Sequence, residues 1–166
     1  MTKKLIIFSL MLITVMGMQA QSLIGTWKTV MNDDDDMYLI FNQSTLILKG
    51  VFTQSNPEVG KITVSILVPG TYTRSGNALS IKLKGEQADM NIDKMDLNDN
   101  LKKMLEEMPE LKTTLDQTLE DAMSEGKDDL VKELSSLEGE LEIESLTDTM
   151  LILSEDNEKL TFTRVR

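Results

Sequence analysis

The spacing of apolar residues changes twice along the chain, and this double change narrows the possible folds more than any other feature. Through residue 83, and again after Gly139, apolar and polar side chains alternate, the two-residue repeat of strands with one buried face. Ile62, Val64, Ile66 and Val68 share one parity, and Leu79, Ile81 and Leu83 form a second row separated by Ser80 and Lys82. Later, Leu141 and Ile143 alternate with Glu140, Glu142 and Glu144, and strands are expected again over 150–153 and 159–165. Between these stretches the repeat is helical. Leu101, Met104, Leu105 and Met108 form one stripe, Leu111, Leu115, Leu119, Ala122 and Met123 a second, and Leu130, Leu134 and Leu137 a third. Strands that resume where helices stop predict one interrupted sheet, not a separate helical domain at the end. About eight strands are expected, the number that closes a small barrel.

Local signals refine this plan. Turn chemistry falls at 32–36, Asn56-Pro57, Pro69-Gly70 and 75–77. Pro109 is expected to divide a first helix from a second, because proline opens helices but breaks their interiors. Gly126 is expected to stop the second helix, and Asp96 or Asn98 to cap the first.

Residues 1–20 read as an export signal: Lys3 and Lys4 precede an apolar run from Leu5 to Val15, too short to span a bilayer, and Ala20 precedes an expected cut. Residues 21–166 then form one domain of 146 residues, periplasmic or extracellular, with no transmembrane segment. With no cysteine in the chain, a lipoprotein anchor is excluded, and the fold must be held by its core. Of the 17 basic and 28 acidic residues, only Lys3 and Lys4 lie in the leader, so the mature formal charge is −13. The helical stretch 98–138 holds twelve acids against five lysines. Such a surface repels phosphate backbones, which excludes nucleic acid as a partner.

The opening strand carries Gly25-Thr26-Trp27 and the closing one Leu160-Thr161-Phe162-Thr163-Arg164. With residues 37–41, 70–79 and 145–153, this resembles the bacterial exported lipocalin-like domain family. The resemblance implies an up-and-down antiparallel β-barrel in which Trp27 plugs one end beneath Arg164. Independently, Leu160, Phe162 and Arg164 share a parity that turns the arginine toward the buried side, and Gly25 leaves room for a close approach. Gly25, Trp27 and Arg164 are therefore read as structural. The acidic helical insertion at about 98–137, before the last strands, departs from the family pattern.

The chain lacks histidine and cysteine, the residues most used for general-base, metal-binding and nucleophilic chemistry, and its carboxylates fall mostly at solvated positions. No catalytic residue, metal site or cofactor is expected. The run Asp33 to Asp36 lacks the alternation and glycine of an EF-hand loop and reads as a turn. The aromatic and thioether side chains expected to line a ligand space are Tyr38, Phe41, Phe52, Tyr72, Met104 and Met108. Methionines near the insertion, among them Met90, Met95 and Met123, suit a surface that repacks around apolar partners, or the padding between helices and barrel. Two functions stay open. One is a non-catalytic container for a small apolar ligand such as a lipid or fatty acyl chain; the other is a solid barrel that binds a protein partner through its acidic helices.

Overall fold

The computed structural model describes residues 22–32, 35–156 and 158–166; the expected export signal, Asp33 and Asp34 lie outside the described residues. Among the described residues nine strands and two helices follow one another: β1 (Gly25–Asn32), β2 (Asp35–Phe41), β3 (Thr45–Asn56), β4 (Gly60–Ser75), β5 (Ala78–Leu83), β6 (Asp89–Leu97), α1 (Asp99–Glu107), α2 (Pro109–Leu134), β7 (Gly139–Leu146), β8 (Met150–Glu155) and β9 (Glu158–Val165). Short 3-10 turns at Gly85–Gln87 and Ser135–Leu137 flank β6 and β7.

Eight strands close into an antiparallel barrel, in the order β1-β2-β3-β4-β5-β7-β8-β9 and back to β1. Closure comes from pairing the first strand with the last, Trp27 opposite Arg164 and Lys28 opposite Thr163. The alternation predicts the inner face well. Leu39, Phe41, Leu46, Leu48, Ile66, Val68, Leu79, Leu151, Leu153 and Phe162 belong to one buried cluster together with Trp27. Leu160, by contrast, shares the inward parity but sits at an end of the barrel, 38% exposed.

The ninth strand departs from a simple barrel. At sixteen residues, β4 is longer than the barrel needs, and β3 pairs with it from Thr45↔Thr71 to Asn56↔Gly60. On its other edge β4 takes β5 over residues 70–75 and β6 over residues 60–67, so β5 and β6 lie nearly end to end. Residues 51–56, 60–65 and β6 thus extend the sheet as a three-stranded flap beyond the barrel mouth. Pro69-Gly70 therefore lies inside β4 and is not the expected turn. Its proline is tolerated because Pro69 accepts from the Lys84 N–H at 2.8 Å, so its own missing N–H faces the gap where β5 gives way to β6 and no bond to β3 is lost.

Helix α1 starts at the flap tip. Asn98 is its cap, accepting from the Leu101 N–H at 2.8 Å, while its amide donates to the carbonyls of Pro57, at 3.0 Å, and Glu58. Pro109 opens α2 as expected, but Gly126 does not end it: its backbone is not left-handed, and α2 continues to Leu134, since a lone glycine costs a helix about 1 kcal/mol without stopping it. The third apolar stripe is the end of this same helix and the 3-10 turn that follows it. There Leu134 and Leu137 are buried, and Leu130 and Val131 pack on the core cluster with Ala88, over the mouth of the barrel.

Asn98 serves two elements at once, so its replacements separate them. Asn98→Ala is expected to destabilise the fold by about 1–2 kcal/mol in urea melts. Asn98→Asp, which keeps the cap acceptor and loses the donors to the hairpin, is expected to fall between the two; an alanine variant as stable as the parent would contradict this anchoring.

Candidate functional site

A cavity of about 710 Å³ lies between α2 and the flap, within the roughly 300–1,000 Å³ typical of small-molecule sites. Its floor is the inner face of the flap: Phe52 from β3, Ile62 and Val64 from β4, Met90 and Ile92 from β6. Its roof is the α2 stripe Leu115, Leu119, Ala122, Met123, Gly126 and Leu130. These roof positions recur at three- and four-residue intervals and so share one helix face. Polar groups are few: Thr53, Gln54, Asn56 and Thr118 among neutral side chains, and Asp35, Asp129 and Glu133 among charged ones.

Two glycines shape this space. A Cβ on Gly50 would lie 2.6 Å and 2.9 Å from atoms of the Phe52 ring, so the glycine lets that ring fold over the boundary between barrel core and cavity. Gly126 has open space above it and leaves a gap in the roof.

The residues expected to line a ligand space are not brought together. Phe52 alone of the six lines this cavity. Tyr38 points away from the core, its hydroxyl donating to Asp36 at 3.2 Å and the Lys28 ammonium 5.6 Å from its ring centre. Phe41 is buried at the opposite end of the barrel, where the Tyr72 ring meets it edge-on at 4.9 Å and the Tyr72 hydroxyl donates to the Asn42 carbonyl at 2.6 Å. Burial raises the Tyr72 phenol pKa above its ordinary value. Met104 on α1 and Met108, the residue between α1 and α2, have 46% and 45% of their surface exposed. The aliphatic liners Ile62, Val64, Leu115 and Leu119 carry the expected parities; which helix face covers which strands depends on tertiary packing that no local spacing encodes.

At that opposite end, the Arg164 guanidinium lies 4.4 Å from the Trp27 ring centre and donates to the Ser22 carbonyl at 2.8 Å. The indole N–H donates to the Leu23 carbonyl at 2.7 Å, which ties residues 22–24 across the barrel. Gly25, at φ 134, would place a Cβ 3.4 Å from Arg164 Nη1, so the close approach it permits is that of the arginine side chain.

The acidic runs are engaged in local contacts. Asp36 pairs with Lys28 at 2.7 Å, and hydrogen bonding to this carboxylate holds the lysine pKa above its ordinary value. Asp35 accepts from the Thr53 N–H at 3.0 Å. Outside the cavity, Lys159 bonds Glu144 at 2.6 Å and lowers that carboxyl's pKa. Among the described residues, no group of three or more carboxylates is placed to hold a metal ion, and no helix is long and apolar enough to cross a membrane.

A closed eight-stranded antiparallel barrel with an apolar space at its mouth is an architecture compatible with binding a small molecule. No protein-family model and no curated protein matches the chain. Among solved structures it is similar to an uncharacterized protein from Bacteroides eggerthii DSM 20697, at 14% sequence identity, covering 87% of this chain and 100% of that chain with a TM-score of 0.39.

The two glycines predict opposite effects. Gly126→Ala is expected to raise stability by about 0.5–1 kcal/mol, since a helical glycine gives way to alanine in open space. Gly50→Ala is expected to lower it by about 1–3 kcal/mol by overpacking against Phe52. Denaturant melts that move both variants the same way would contradict the geometry described for this wall.

Proposed function

We propose that this protein is an exported, non-catalytic, lipocalin-like binding protein that holds a small apolar molecule between α2 and the flap. The cavity carries the proposal. Aliphatic walls offer dispersion contacts and exclusion of water but few orienting hydrogen bonds, which suits an acyl or similar chain. The ligand space in this reading lies at the mouth of the barrel, under the helical insertion, with the buried cluster of the ring beneath it as support. The composition argues against catalysis, since carboxylates at ordinary solvated positions are poor acids and bases near neutral pH. Export rests on the basic start and short apolar run of residues 1–20.

Native mass spectrometry of protein recovered from the exporting cell is expected to show a bound species of a few hundred daltons, extractable into organic solvent, on a chain beginning at Gln21. A clean unliganded mass, with no thermal shift on addition of neutral lipids, would contradict the container; a chain retaining Met1 would contradict export.

A further inference from the structure

The charge of the cavity lining narrows the class of ligand. We infer that the molecule held there joins an apolar chain to a cationic head, a long-chain amine being the simplest example; this rests on the reading of the cavity as a container for an apolar ligand.

The liners divide by chemistry. Flap and helix supply aliphatic and thioether side chains, while every charged residue lining the space is acidic: Asp35, Asp129 and Glu133. Among the described residues, no lysine or arginine lines it. Asp129 and Glu133 stand one helical turn apart near the end of α2, both exposed, on either side of Leu130, which packs toward the core. They are thus solvated carboxylates at an exposed edge of the apolar space, within reach of a ligand's polar end.

A fatty acid placed here would bring its carboxylate against like charges, on a mature chain of formal charge −13. An ammonium would meet the opposite situation: its alkyl chain loses water against Leu119, Ile62 and Val64 while its head stays hydrated between acids. Because the rim is wet, the head contributes mainly selectivity, and the chain contributes most of the affinity.

The test is calorimetric titration of the mature protein at pH 7 and low salt with decylamine, decanol and decanoate, each below the concentration at which it aggregates. Decylamine is expected to bind about tenfold more tightly than decanoate, with decanol between them, and the spread is expected to shrink in about 0.5 M salt. The double variant Asp129→Asn/Glu133→Gln, which changes two exposed side chains, is expected to bring decylamine down to decanol while leaving decanol unchanged. Gly126→Trp, which fills the roof gap, is expected to abolish binding of all three.

Decanoate binding as tightly as decylamine would overturn the head-group inference and leave the container standing. No binding by any of the three would remove the container itself. Decylamine binding that survives Gly126→Trp would assign it to the acidic surface and overturn the inference.

Discussion

Everything at the cavity end of this molecule depends on the length of one strand. β4 has more residues than the barrel can pair, and a strand whose N–H and C=O groups run past its neighbours must find partners for them. β3 satisfies one edge along its whole length; β5 and then β6 satisfy the other. The result is a flap whose inner face continues the apolar parity of the barrel beyond its rim. A sheet that is apolar on one side and stands clear of the barrel must be covered, and α2 is the element that covers it.

The two ends of the barrel are treated differently for this reason. At one end an indole, a guanidinium and the strap of residues 22–24 lock together, with Phe41 and Tyr72 alongside. The half-buried arginine lies over the ring face and donates to a main-chain carbonyl, although its buried Nε makes no hydrogen bond among the described residues. At the other end, α2 packs on the core only through its last turns, beside Leu137 and Ala88. The rest of the helix bridges the flap at a distance, leaving the cavity. One end is closed by side-chain contacts, and the other leaves volume.

Much of this architecture could be read from residue spacing. Parity placed Ile66, Val68, Leu79, Ile81, Leu141 and Ile143 inside, and paired the closing arginine with the buried side. Pro109 divided the helices, and Asn98 was one of two candidate caps for the first. What spacing could not convey was register. β6 was missed because a bulge opposite Thr63 and Val64 shifts its alternation, so Met90 and Ile92 have one parity while Met95 and Leu97 have the other. Pro69-Gly70 looked like a turn because the break it faces belongs to the neighbouring strands. Gly126 looked like a helix end because spacing does not show whether a glycine turns left-handed, as a C-terminal stop requires, or stays helical, as this one does. Aromatic content did not gather the expected residues around the cavity: in a barrel wall, being aromatic says nothing about which end or face a side chain serves, and Tyr38, Phe41 and Tyr72 lie elsewhere.

The methionines offer a direct check on where a ligand sits, because they divide by location without any substitution. Met90 and Met123 line the cavity, whereas Met104 on α1 and Met108, just after it, are exposed. In methyl-labelled protein titrated with decylamine, the resonances of Met90 and Met123 are expected to shift together and saturate, while those of Met104 and Met108 stay in place. Shifts confined to Met104 and Met108, or no saturable shift at Met90 and Met123, would contradict a binding space between helix and flap.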